Sequence, residues 1–161
     1  MREWLVAGGI ILGPDGLLLV ENRRRNGRHD WSPPGGVIDE GEGLVEGLTR
    51  EVREETGLTV TAWAGPLYRL ETRAPDLGWH LRFEAHLAVE YSGELSIDDP
   101  DGIVVGAAWV DPAVCGEHLA TNHPWVREPL VEWLVERWDD GRSFGYHVTG
   151  AQPGEMVVTR V

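Results

Sequence analysis

Lysine is absent from this 161-residue chain, cysteine occurs once, and no apolar run approaches the ~20 residues that a membrane-spanning helix requires. Each absence excludes something. With lysine missing, all 14 basic residues are arginine; 27 acids outnumber them, and the net charge is −13. A surface so negative repels a polyanion, because gripping a nucleic-acid backbone depends on basic residues that displace counterions. No nucleic-acid polymer is expected as a partner, although a small phosphorylated molecule is acceptable where local arginines and a cation neutralise it. The lone Cys115 rules out an intrachain disulfide and fits a reducing, cytoplasmic setting. The opening MREWLVAGGI carries Glu, Trp and glycines in place of the longer apolar core of a signal peptide, so no membrane partner is expected. The six histidines lack the paired spacing of a zinc site.

The length suits one domain, 1–161, with 143–161 a C-terminal β-hairpin extension. Trp4–Leu12 reads as a strand, Gly13–Gly16 as a turn and Leu17–Val20 as the returning strand of a hairpin. Glu21–Arg28 is the only basic cluster; it is either a solvated loop or a phosphate contact through Arg23, Arg25 and Arg28. In Asp30–Gly36 two prolines prevent helix and two glycines let the main chain approach a ligand. Residues 43–56 read as a helix with Leu44, Leu48 and Val52 as its buried stripe and Gly57 as its C-cap.

Leu58–Leu67 and Tyr68–Arg73 read as two strands separated by Gly65-Pro66, and Ala74–Gly78 as a loop. Trp79–Tyr91 alternates as a longer, central strand with Leu81, Phe83, Ala85, Leu87 and Val89 on one side. Gly93–Gly102 is an acidic loop, Ile103–Val110 another strand, and Asp111–Thr121 irregular or a short helix. Trp125–Trp138 is a second helix with Val126, Leu130, Trp133, Leu134 and Trp138 inward; Ser143–Val148 and Met156–Val161 form a terminal hairpin. This order implies an α/β fold, a mixed β-sheet with helices on its faces. Trp31 and Trp79, in loops or at loop edges, are candidates to stack on a base.

The stretch Gly36–Leu58, GVIDEGEGLVEGLTREVREETGL, is the most informative. On a helix, Glu51, Glu54 and Glu55 fall within roughly 100° of arc. Like charges so spaced cost about 0.2–0.5 kcal/mol per pair, a conflict that a divalent cation would remove. Hard Mg²⁺ prefers carboxylate, carbonyl, water and phosphate oxygens.

This stretch resembles the Nudix box of the Nudix hydrolase family. Gly36, Glu42, Arg50, Glu51, Val52, Glu54, Glu55, Gly57 and Leu58 agree with its nine defined positions; seven are fixed identities, and chance agreement is on the order of 10⁻⁷. The resemblance implies a Nudix-type α/β/α sandwich and hydrolysis of a nucleoside diphosphate linked to another group. It implies Mg²⁺ or Mn²⁺ as cofactor, with Glu51, Glu54, Glu55 and the Gly35 carbonyl as ligands, and Arg50 orienting the glutamates. The proton acceptor is Glu51 or Glu54, with Asp101 on the later acidic loop the outside candidate, a place where relatives more often carry glutamate. The leading expectation is a (d)NTP pyrophosphohydrolase that cleans the nucleotide pool. ADP-ribose or a nucleotide sugar is the alternative, since Pro75 lies near a proline that marks some ADP-ribose enzymes. A nucleotide-binding regulator with little turnover is the alternative of another class. Many relatives dimerise, so a homodimer is expected.

Overall fold

The computed structural model describes residues 1–161, the side chain of Pro153 set aside. Strand β1 (Arg2–Ile10) lies in a six-stranded sheet, while β2 (Leu12–Gly13) and β3 (Gly16–Arg23) belong to a smaller, four-stranded one. The expected single strand Trp4–Leu12 is therefore two: the chain changes sheets at Ile11, and only Leu12 and Gly13 pair with the returning strand. Two further strands, β4 (His29–Ser32) and β5 (Gly35–Val37), flank Pro33-Pro34 where no strand was expected. β4 pairs with β3, whereas β5 crosses to the large sheet and pairs antiparallel with β1, Gly36 opposite Ala7.

Helix α1 (Leu44–Thr56) buries Leu48 and Val52 fully and Leu44 in part. It stops at Gly57, whose left-handed backbone (φ 83°) lets its N–H bond the Arg53 carbonyl. The two strands expected around Gly65-Pro66 are one, β6 (Thr59–Ala74), because both halves pair with β7 (Trp79–Ser92) and the intervening residues bulge between the Ala64 and Tyr68 pairs. β7 is central, paired parallel to β1 on its other side. Its inward alternation holds through Leu87 but fails at Val89, which is 61% exposed.

β8 (Val104–Val110) pairs with β3; a 3-10 turn (Pro112–Val114) and the short α2 (Cys115–His118) lead to α3 (Pro124–Glu136). The C-terminal hairpin, β9 (Arg142–Thr149) and β10 (Val157–Arg160), extends the large sheet because β9 runs parallel to β6. The large sheet thus has order β10-β9-β6-β7-β1-β5. One core lies beneath α3, built on Leu130, Trp133, Tyr68 and Tyr146; a second lies beneath α1, built on Leu48, Val52, Ile11 and Leu58. Helices on opposite sides of a mixed sheet make the α/β/α arrangement, and β5 delivers Gly35 and Gly36 directly to the acidic face of α1. No helix is long and apolar enough to cross a membrane.

Candidate functional site

Helix periodicity turns Leu48 and Val52 to the core and leaves Glu51, Glu54 and Glu55 along the margin that faces β5. The approach is close because β5 carries no side chains there. A Cβ on Gly36 would lie 2.9 Å from the Glu51 carboxyl carbon, and one on Gly35 would run into the Ala7 carbonyl. The Gly35 N–H donates to Glu55 Oε2 at 2.9 Å, fixing the third acid against the strand.

Arg50 organises the remainder. Its Nε and Nη2 donate to the two oxygens of Glu42 at 2.9 and 3.0 Å, while Nη1 donates to Glu51 Oε1 and Glu54 Oε2, each at 3.2 Å. Asp39 lies at 3.5 Å from Nη2. The fork on Glu42 holds that carboxyl below its ordinary pKa, and the same bonds raise the pKa of Arg50. Gly47 makes room for Glu42: a Cβ there would sit 2.6 Å from Glu42 Oε1.

The box acids are held in unequal states. Burial raises the Glu51 carboxyl, against the pull of Arg50 and with a further push from Glu54 and Asp101. Burial also pushes Glu55 up, to about 8; the Gly35 N–H opposes this, and the charges of Glu51, Asp99 and Glu54 add to it. The acids repel one another and have one arginine among them. Among the described residues no three Asp, Glu, His or Cys side chains are grouped closely enough to hold a metal ion as they stand; Arg50 and the Gly35 N–H take up oxygens of Glu51, Glu54 and Glu55. The donor set nonetheless fits a hard divalent cation: three carboxylates on one face, a glycine backbone beside them, and an excess of negative charge.

The loop between β7 and β8 is anchored at the C-terminal end of α1. The Ser96 N–H donates to the Thr56 carbonyl at 2.8 Å, next to Glu55, and the bare Cα of Gly57 lets residues 94–96 approach. At the other end the Arg23 N–H donates to the Ile103 carbonyl at 2.8 Å. Asp101 thereby comes near enough for Glu51 to feel its charge, and Asp99 near enough for Glu55.

Gly35, Arg50, Glu51, Glu54 and Glu55 are thus brought together, with Asp101 approaching from outside. The other sequence candidates lie elsewhere. Trp31 is on β4 and not in a loop, edge-on to His118 with ring centroids 5.4 Å apart; Trp79 opens β7, 6.1 Å from Trp125. Both pack against the core beneath α3, because pairing with β3 and β1 draws them into sheets. Arg23 and Arg25 are exposed, and Arg28 reaches the Thr121 carbonyl at 3.2 Å. Within this basic stretch, the residue held most firmly is one the sequence did not single out. Arg24 forks onto Asp30 at 2.7 and 2.8 Å, with Asp30 itself bonded by buried Asn22. Asp99 was likewise only one acid among several; its three backbone bonds depend on a loop fold that no spacing announces.

A NUDIX domain model matches residues 3–134 of the chain. Phosphatase NudJ of Escherichia coli K12 is 27% identical over 143 residues, 87% of this chain and 86% of the relative. Among solved structures, the MutT protein from Bacillus halodurans superposes with a TM-score of 0.71 at 23% identity, covering 98% of this chain and 97% of the other. An ADP compounds hydrolase superposes with a TM-score of 0.64 at 20% identity, covering 84% and 72%. At these identities the structural likenesses speak for the fold. The match to the domain model ends before β9, so the C-terminal hairpin lies outside it.

Proposed function

Since this chain belongs to the Nudix hydrolase family, we propose that it is a Mg²⁺- or Mn²⁺-dependent pyrophosphohydrolase of small nucleotides, and foremost a (d)NTP pyrophosphohydrolase of the nucleotide-pool-cleaning type. The observation that carries the reading is the face of Glu51, Glu54 and Glu55 set against Gly35 and tied together by Arg50. Glu51, Glu54, Glu55 and the Gly35 carbonyl would hold the cation. Once bound, it supplies charge neutralisation at the diphosphate and a water of lowered pKa. Arg50 keeps Glu51 and Glu54 aimed, and Glu42 fixes Arg50. Glu51, Glu54 or Asp101 accepts the proton of the attacking water. Arg23, Arg25 and Arg28 supply positive charge from the β3–β4 connection, while Trp31 and Trp79, packed against the core beneath α3, take no part in this reading.

The compact chain favours (d)NTPs. ADP-ribose or a nucleotide sugar is the second reading, favoured by the likeness to an ADP compounds hydrolase and by Pro75, which opens a 3-10 turn just before Trp79. Purified protein with Mg²⁺ and a panel of both substrate kinds separates these by the products released. Tight binding with no product would instead fit a nucleotide-binding regulator. A cytoplasmic setting is supported by the single, buried Cys115. A homodimer is supported by the outer edge of β10, where Val157 is 58% exposed at the end of the large sheet. Light scattering at micromolar concentration is expected to give twice the 17.9 kDa chain mass, and a mass of one chain contradicts the dimer.

A further inference from the structure

We propose that Trp63 is a positioning residue: its indole N–H, bonded to Thr49 of the box helix, sets how α1 is rolled against the sheet and so where the acid face points. The inference rests on the reading of that face as a cation seat and adds to it the contact that aims the face from the opposite side.

Leu48 and Val52 join α1 to the core through apolar packing, which has no direction and does not by itself fix a helix against rolling. On the acid margin little opposes such a roll, since Gly35 and Gly36 of β5 carry no side chains. Among the described residues, two hydrogen bonds tie α1 to strands of the large sheet, one on each margin of the helix. One runs from the Gly35 N–H to Glu55, an acid assigned to the cation, so it is not independent of the metal. The other runs from Trp63 Nε1 on β6 to Thr49 Oγ1, at 2.9 Å. Thr49 lies roughly 160° around the helix from Glu51, so this tie holds α1 from behind.

Three features seat Trp63 for this contact. The β6–β7 ladder slips between residues 60 and 63, where Val60 is opposite Tyr91, Ala62 opposite Glu90 and Trp63 opposite Ala88. Strict alternation from Val60 would turn Trp63 to the face beneath α3. The bulge turns it to the face beneath α1, where it packs against the cluster of Val52, Val60 and Ala88. Gly9 of β1 leaves room for the ring: a Cβ there would lie 3.0 Å from Trp63 Cη2 and 3.4 Å from Val52 Cγ2. The Thr49 hydroxyl is oriented by a bond of its own. It donates to the Val45 carbonyl at 2.8 Å, which leaves its oxygen to accept from the indole. Trp63 is half-buried, and an indole N–H so placed needs an acceptor. Thr49 directly precedes Arg50 and Glu51, so whatever holds Thr49 also sets the direction of the two side chains that open the acid face.

Titration with Mn²⁺, followed by the paramagnetic resonance signal of the free ion, tests the inference without turnover. Trp63→Phe keeps an aromatic ring and loses the N–H; Thr49→Val keeps the shape and loses the acceptor. Each is expected to raise the Mn²⁺ Kd about 10-fold, the lower end of what a lost supporting contact costs at a metal site. The double variant is expected to bind as either single one does, because both changes break the same contact. Thr49→Ser keeps the hydroxyl and is expected to bind with wild-type affinity; the comparison of Thr49→Val with Thr49→Ser carries the test alone if Trp63→Phe does not fold. With a nucleotide that the wild type hydrolyses, kcat is expected to fall by a similar factor and KM to stay within about twofold. Wild-type Mn²⁺ affinity in both single variants, whether or not their melting temperature falls, would make the contact one that only stabilises and would overturn the inference. A double variant weakened by the product of the single effects would overturn it too. Either result leaves the hydrolase reading standing, whereas a wild type that binds no Mn²⁺ would overturn both.

Discussion

Gly36 and Glu55 show how much of this site depends on single residues. A Cβ on Gly36 would sit 2.9 Å from the Glu51 carboxyl carbon, so Glu51 would have to swing away while the strand remained paired. Gly36→Ala is therefore expected to lower kcat about 10- to 100-fold, the range seen when a metal ligand loses its orientation, with little change in melting temperature. Unchanged turnover would contradict the placement of Glu51. Glu55 yields a pH dependence. Burial raises its carboxyl from 4.5 to about 8, so the metal-free folded state holds a proton that the unfolded chain releases. The stability this group contributes is full below about 4.5 and is lost as pH rises through about 8. In EDTA, wild type is expected to lose melting temperature relative to Glu55→Gln between about pH 5 and pH 8.5, and Mg²⁺ to reverse the loss by favouring the carboxylate. Parallel melting curves for the two proteins across that range would contradict the buried placement. At this scale the box acids were legible because they lie on one helix, where spacing fixes direction. Arg24 and Asp99 were not: the partner of Arg24 sits across a strand pair, and those of Asp99 are main-chain amides of a turn.

Helix α1 carries both core and chemistry, and Gly47 marks where the two meet. Alanine at an exposed helical glycine usually stabilises by about 1 kcal/mol, but Gly47 is buried, and a Cβ there would lie 2.6 Å from Glu42 Oε1 and 2.9 Å from Ile38 Cδ1. Displacing Glu42 releases Arg50, and through Arg50 the acids Glu51 and Glu54. Gly47→Ala is expected to lower kcat about 10-fold without the gain in melting temperature that helix propensity alone would give. A more stable variant with full activity would show that Glu42 does not govern the site. Periodicity located this helix, its stripe and its stop at Gly57, because each is a local property of consecutive residues. It misjudged β6 as two strands and β1–β2 as one, because both outcomes are decided by partners distant in sequence. β7 bridges the bulge at Gly65-Pro66, and β3 claims Leu12 for the smaller sheet. Trp31 was drawn out of its expected loop for the same reason, by pairing with β3.

Across the whole molecule, a net charge of −13 surrounds a site that must admit an anion. The fold answers by placing Arg50 among the acids, a basic stretch on the β3–β4 connection, and a face on α1 suited to a divalent cation. With the cation absent, the carboxylates repel both one another and the substrate; with it bound, the same carboxylates become the seat of a diphosphate. The measurement that tests this most directly is product identification after purified protein is incubated with Mg²⁺ and a panel of (d)NTPs, ADP-ribose and nucleotide sugars. Cleavage within the phosphoric anhydride is predicted, lost on chelation of the metal and reduced at least ~10²-fold by Glu54→Gln and by Glu55→Gln. Intact nucleotides after prolonged incubation, or wild-type rates in either variant, would contradict the assignment.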